Sequence, residues 1–202
     1  MTDAGKSLPL TLSKAGVTRG VSDSHQPQLN DDDRYTVRRY EDFRAAAGYV
    51  AEAFARVPPV RRVALFGSVA SAPLPESGRW RRGYLHEPKD VDLAVWLDGV
   101  VDLDHLRKLS AQALNRLWHD NDVGVAHHQV DIFLLDATGK YLGRLCHFNQ
   151  CPKQKPQCRS DGCGKVPFLQ QHDGFVFDSG ESLHPSRIQI LYDRQVEKGR
   201  SP

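Results

Sequence analysis

Two short motifs in this sequence carry residue types suited to phosphate and metal chemistry. Gly67 and Ser68 directly follow one apolar run, and Asp90 and Asp92 open a second. We predict that both runs are strands, so the two carboxylates point to the same face, about 7 Å apart along the strand. Like charges this close are costly unless a cation lies between them. Oxygen ligands of this kind favour a hard divalent cation.

A third apolar run, 129–135, carries Asp131 near its start. If this run pairs beside the strand of Asp90 and Asp92, Asp131 joins the same cluster. Three carboxylates beside a Gly-Ser turn indicate metal-assisted phosphoryl transfer, in which the acids hold Mg²⁺. The turn amides and the Ser68 hydroxyl then contact phosphate oxygens. The alternative for Asp131 is an ordinary exposed aspartate at a strand start.

The order of these motifs resembles the nucleotidyltransferase domain of the DNA polymerase beta superfamily, and most closely its small bacterial members, the minimal nucleotidyltransferases. The resemblance rests on the strand ending in 66–68, the Asp-x-Asp strand and the later strand with a third aspartate, and it covers about 40–136. It implies an α/β (α+β) nucleotidyltransferase fold, a short mixed sheet with flanking helices. It also implies two Mg²⁺ ions and transfer of an NMP group from an NTP substrate.

The resemblance also implies roles for individual residues. Gly67 and Ser68 would bind the nucleotide, Asp90 and Asp92 would bind metal, and Asp131 would be a metal ligand or the general base. The sequence departs from the family pattern in two places: Lys89 stands where a small polar residue is usual, and the stretch between Ser68 and Asp90 is longer. Pro73 follows soon after the Gly-Ser turn, so the helix after the turn is expected to be short.

The long stretch between the two motifs, 73–89, is a loop with a basic bias. Its aromatic residues Trp80 and Tyr84 alternate with arginines, and such a combination can bind phosphates and stack on bases. The same residues suit a solvated loop whose aromatic side chains pack on the domain. In either case its position predicts a lid beside the nucleotide.

All the cysteines of the chain lie within 146–163, in the spacing C-x4-C-x6-C-x4-C. The segment has few apolar residues to bury, so we predict that it needs a covalent or metal cross-link to fold. The expected cross-link is a structural Zn²⁺ ion bound by four thiolates, namely Cys146, Cys151, Cys158 and Cys163. Two disulfides or uncombined thiols are the alternatives, and His147 or His172 could replace one cysteine as ligand.

The sequence as a whole predicts three segments: a disordered tail over 1–34, a nucleotidyltransferase domain over 35–140 and a zinc-binding segment with short strands over 141–202. Apolar periodicity predicts a helix from Tyr40 to the prolines at 58–59. A second helix is predicted up to about Trp118, with Asp102 or Asp104 as its cap. The apolar runs 174–177 and 188–192 either form a hairpin over the zinc segment or join the main sheet.

Composition is that of an ordinary globular domain, with 40% hydrophobic residues, 26% charged residues and a net charge of +2 in 202 residues. This charge does not require a nucleic-acid partner, although a nucleic acid is compatible with it. No apolar stretch approaches the roughly 20 residues that span a bilayer, and the first residues lead into no signal-peptide core. We therefore expect a cytoplasmic protein with no membrane partner. His127 and His128 are expected to be surface residues.

Two functions from different classes fit these patterns. The first is an Mg²⁺-dependent nucleotidyltransferase whose acceptor, a protein, an RNA or a small molecule, the sequence does not identify. The second is a non-catalytic module of the same fold that docks a nucleic acid or a partner protein. Three converging carboxylates favour the enzyme, because a chain freed from catalysis has no need to keep them together.

Overall fold

The computed structural model describes residues 30–70, 80–81, 84–151, 166–171 and 177–195. The helices are α1 (Asp31–Ala55), α2 (Gly67–Ala70), α3 (Leu103–Asn121) and α4 (Ser179–Ser182). The strands are β1 (Val60–Phe66), β2 (Trp80–Arg81), β3 (Tyr84–Leu85), β4 (Val91–Leu97), β5 (Val130–Leu135), β6 (Tyr141–Leu145), β7 (Leu169–Gln170) and β8 (Gln189–Asp193).

Six of the strands form one mixed sheet in the order β7-β6-β5-β4-β1-β8, and β2 pairs with β3 in a separate ribbon. The central pair β4 and β5 is parallel, connected through α3, while the other neighbouring pairs are antiparallel. The prediction of an α/β domain with a mixed sheet and flanking helices is thus confirmed.

One face of the sheet packs against α1 and α3. Because strand side chains alternate, β4 turns Val91, Leu93, Val95 and Leu97 to this face, where they meet fully buried helix residues. The main helix contributions are Phe43, Val50, Phe54, Leu106 and Leu117. This core fixes the register of β4, because a slip by one residue would turn Asp92 into the apolar core against α1 and α3.

The opposite face carries a second apolar cluster along the same strands. Its buried members are Ala64, Phe66, Ala94, Trp96, Phe133 and Leu135. The late part of the chain covers them, since Phe177, Leu183 and Ile188 pack against this cluster. Phe177 stacks on Phe133 at 5.1 Å between ring centroids. Both faces of the central strands are therefore covered, which explains their nearly continuous apolar sequence.

Helix α1 begins earlier than the periodicity predicts. The sequence places the helix start at Tyr40, but Asn30 caps the helix and its side chain accepts a hydrogen bond from the Asp33 amide at 2.7 Å. The acidic run 31–33, which suggests a polar tail, occupies the first helical turn, where negative charge is favourable. Residues 31–34 are therefore helical, and residues 1–29 lie outside the described part of the chain.

The other elements lie close to their expected positions. Asp102 caps α3 by accepting hydrogen bonds from the amides of Asp104 and His105, and the helix continues past Trp118 to Asn121. Of the two late apolar runs, the second forms β8 and joins the main sheet beside β1. The first lies outside the described residues except for Phe177, which is not in a strand.

Candidate functional site

The three aspartates predicted from the sequence meet at one edge of the sheet. Asp90 directly precedes β4, and in the parallel pair of β4 and β5, Asp92 and Asp131 are register partners. Carboxylate oxygens of the three residues all lie within 4.8 Å of one another. The expected pairing of the two strands is therefore confirmed, and it brings the acids together because parallel strands start at the same edge.

The end of β1 brings Gly67 to the same place. Since β1 is antiparallel to β4, its last residue, Phe66, pairs with Asp92. Gly67 follows with φ at +71°, a conformation that residues with a side chain rarely adopt. A Cβ atom at this position would also overlap Oδ2 of Asp92. Glycine is thus required here both for the turn and for the approach of the Asp92 carboxylate.

Ser68 presents an unsatisfied hydroxyl beside this turn. Its Oγ is buried and has no hydrogen-bond partner among the described residues. A buried polar group without a partner costs about 1–3 kcal/mol. Such a cost is retained most readily where a ligand supplies the missing hydrogen bond.

The acid cluster carries negative charge that its surroundings compensate only in part. Burial, followed by the charges of Asp90 and Asp131, raises the pKa of Asp92 to about 7. Burial also raises the pKa of Asp131, while the charge of Arg144 opposes the shift. Among the described residues, these three aspartates are the group of acidic, histidine or cysteine side chains that lie close enough together to share a metal ion.

The raised pKa of Asp92 predicts that the metal-free protein loses stability as the pH rises. Between the ordinary value of 3.8 and about 7, the folded state binds more protons than the unfolded state. The free energy of unfolding therefore falls through this window, by on the order of a few kcal/mol, and stays low above it. Denaturant titrations in chelator give the free energy of unfolding of wild type and of Asp92→Asn at each pH across the window. If the difference between the two proteins is the same at every pH, the prediction is wrong.

Arg144 is a neighbour of the acids that the sequence patterns do not predict. Its Nη1 lies 2.6 Å from Oδ2 of Asp131, and its Nε donates a hydrogen bond to Oε1 of Gln170 at 3.2 Å. The sequence offers one sign of this role, an arginine inside the short apolar strand β6. Placing that arginine beside Asp131 requires knowledge of the antiparallel pairing of β5 and β6, in which Arg144 lies opposite Phe133.

Within the described ranges, His127 and His128 are not part of the group of side chains close enough to share a metal ion. His127 and His128 lie in a 3₁₀ turn before β5, and not in the extended chain that the sequence suggests. His128 is exposed, as expected, and His127 is half-buried. Burial, together with the charge of Arg107, lowers the pKa of His127, so its imidazole is mainly neutral at neutral pH.

The described residues include two of the four cysteines, Cys146 and Cys151. Cys146 is buried, with 1% of its surface exposed, and Gln170 Nε2 lies 3.7 Å from its Sγ. Cys151 is half-buried, and Cys158, Cys163 and His172 lie outside the described residues. The four-thiolate zinc site therefore stays a prediction.

The predicted lid between the motifs is described in part. Its backbone forms the ribbon of β2 and β3, in which Trp80 pairs with Leu85. Leu85 is buried, and the hydroxyl of Tyr40 donates to the carbonyl oxygen of His86 at 3.0 Å. The end of the stretch is thus attached to α1, and the role of its aromatic side chains stays a prediction.

Comparison with known proteins does not assign a family. No protein-family model matches this sequence, and no curated protein is significantly similar to it. None of the helices in the described ranges combines the length and the apolar character that crossing a membrane requires.

Proposed function

We propose that this protein is a metal-dependent nucleotidyltransferase, with a fold of the nucleotidyltransferase type, that moves an NMP group from an NTP to an acceptor. One observation carries the proposal: Asp90, Asp92 and Asp131 converge within 4.8 Å beside Gly67 and the unsatisfied hydroxyl of Ser68. A cluster of acids alone would be weak support, because acidic groups are common on protein surfaces. The glycine turn and the buried hydroxyl add features suited to phosphate.

The donor set fits Mg²⁺. The three carboxylates offer hard oxygen ligands, and Mg²⁺ binds in proteins through one or two carboxylates together with substrate phosphates. Burial, together with the charges of Asp90 and Asp131, makes the charged form of Asp92 unfavourable, and a bound cation would offset this cost. When bound, Mg²⁺ supplies charge neutralisation for the triphosphate and for the leaving pyrophosphate.

The chain's own residues divide the remaining tasks. Asp90 and Asp92 hold the metal ions, and Ser68 Oγ donates its hydrogen bond to a phosphate oxygen. Asp131 completes the set, either as a further ligand or as the base that takes the proton from the acceptor hydroxyl. Gly67 keeps the backbone close to Asp92, where a larger residue would displace the carboxylate.

The test is transfer of label. Purified protein is incubated with α-labelled NTPs, Mg²⁺ and cell extract, and the labelled product is separated as protein, nucleic acid or small molecule. We expect Mg²⁺-dependent labelling of one class together with release of pyrophosphate. If no NTP gives label or pyrophosphate across a broad acceptor panel, the proposal fails and the non-catalytic binding module becomes the better interpretation.

A further inference from the structure

The carboxylate of Asp131 forms an ion pair with Arg144, and Arg144 is in turn hydrogen-bonded to another side chain. Arg144 and Asp131 are both largely shielded, with 31% and 21% of their side chains exposed. Their 2.6 Å contact uses only Oδ2 of the carboxylate. Charge-assisted hydrogen bonds of this kind are the strong ones, and the planar guanidinium gives them a fixed direction. The hydrogen bond from Arg144 thus goes to one carboxylate oxygen of Asp131, Oδ2.

Gln170 fixes the other side of the guanidinium. It is buried, with 7% exposed, and it is the register partner of Arg144 in the pair of β6 and β7. Its Oε1 accepts the hydrogen bond from Arg144 Nε at 3.2 Å. A glutamine amide stays neutral at every working pH, so this contact orients Arg144 without competing for its charge.

The strand that carries Gln170 is docked tightly on β6. A Cβ atom at Gly143 would lie 2.8 Å from the carbonyl oxygen of Gln170 and from the Leu169 side chain. The amide of Cys146 donates to the carbonyl oxygen of Phe168 at 2.8 Å. The backbone just after the cysteine segment is therefore fixed against β6, which places Gln170 reproducibly beside Arg144.

We infer that Arg144, oriented by Gln170, is the positioning residue for Asp131. By occupying Oδ2, it directs Oδ1 toward the other two acids and toward the acceptor hydroxyl. The inference rests on the proposed function, because Asp131 is taken as a member of its site. It also links the segment that follows the cysteines to the acid cluster through the contacts of Gln170 with Cys146 and Arg144.

Arg144 has two separable effects, charge and orientation. Its positive charge opposes cation binding at the acids, so Arg144→Met should bind Mn²⁺ about tenfold more tightly in calorimetry without nucleotide. Loss of orientation should lower kcat for pyrophosphate release by about 10–100-fold, the usual range for outer partners of metal ligands. The KM for the best NTP should change little, because the proposed site gives Asp131 a role as metal ligand or base and not as a triphosphate contact.

Two further variants separate these effects. Arg144→Lys keeps the charge and loses the planar geometry, so kcat should fall while Mn²⁺ affinity stays near that of wild type. Gln170→Leu should do the same more weakly. Arg62→Met is the matched control, since Arg62 forms a 2.6 Å ion pair with Asp193 of β8, at the end of β1 away from Gly67. It should alter stability alone.

The outcomes distinguish this inference from the proposed function. If kcat and Mn²⁺ affinity in Arg144→Met match those of Arg62→Met, Arg144 is merely structural and the inference is wrong. If wild type binds Mn²⁺ but releases no pyrophosphate, the proposed function fails, and the positioning role of Arg144 fails with it whatever the Mn²⁺ affinity of Arg144→Met. Should Arg144→Met not fold, Arg144→Lys decides: unchanged kcat overturns the inference.

Discussion

Replacing Asp92 with asparagine is expected to reduce the affinity for Mg²⁺ with NTP by on the order of 100-fold and to abolish pyrophosphate release. Asp92 lies between the other two acids, in register with Asp131 and beside Gly67. An amide removes the negative charge that a cation needs while keeping nearly the same shape. Calorimetry with Mg²⁺ and NTP measures the affinity, and a coupled pyrophosphate assay measures the reaction.

The variant should also separate loss of function from loss of fold. Because the Asp92 carboxylate is costly to bury when charged, the asparagine variant should be at least as stable as wild type above about pH 7. Asp98→Asn is the matched control, since Asp98 lies at the other end of β4 and contacts Arg61 and Arg194. Equal affinity in wild type and Asp92→Asn would exclude the site.

Removing zinc is expected to have the second large effect, on structure. We propose that the four cysteines bind one Zn²⁺ ion, and four thiolates contribute on the order of 10 kcal/mol at neutral pH. Ordering a residue costs about 1–2 kcal/mol, and the segment has little apolar surface to offset it. Cys158→Ser should therefore expose the segment between β6 and β7 to protease, while the strands around the acids stay folded. Limited proteolysis with mass spectrometry locates the cuts.

Elemental analysis of protein purified without chelator provides the direct test of this proposal. We expect one zinc per chain in wild type, a strong decrease in Cys158→Ser and no change in Ser160→Ala, a neighbouring substitution that removes no ligand. A zinc content near zero in wild type, with four titratable thiols or two disulfides, would refute the zinc site. Because Gln170 contacts Cys146 and Arg144, zinc loss should also lower kcat.

The parts of the fold that sequence could predict are those set by local pattern. The apolar runs of β1, β4 and β5 and the helical spacing in α3 are visible in the sequence, because burial dictates their periodicity. The convergence of the acids followed from one assumption, that β5 lies beside β4. Local patterns together with this one assumed strand pairing therefore sufficed for the acid cluster.

The parts that could not be predicted depend on contacts between distant segments. Arg144 reaches Asp131 only through the register of β5 and β6, and Gln170 reaches Arg144 across the whole cysteine segment. The early start of α1 was missed because three aspartates suit both a tail and a first helical turn, and the Asn30 cap decides between them. Neither tertiary pairing nor the choice between two local uses of one residue type is encoded in periodicity.

The position of β8 has a consequence for how the chain folds during synthesis. Asp193 pairs with Arg62, 131 residues earlier in the chain, so the outer edge of β1 waits for its strand partner until β8 has been synthesised. Unpaired edges with apolar residues invite association with other chains. The two arginines at 61 and 62 interrupt the apolar run of β1 on this edge, as charged residues do beside aggregation-prone strands. These arginines thus protect the exposed edge of β1 in the nascent chain until β8 pairs with it.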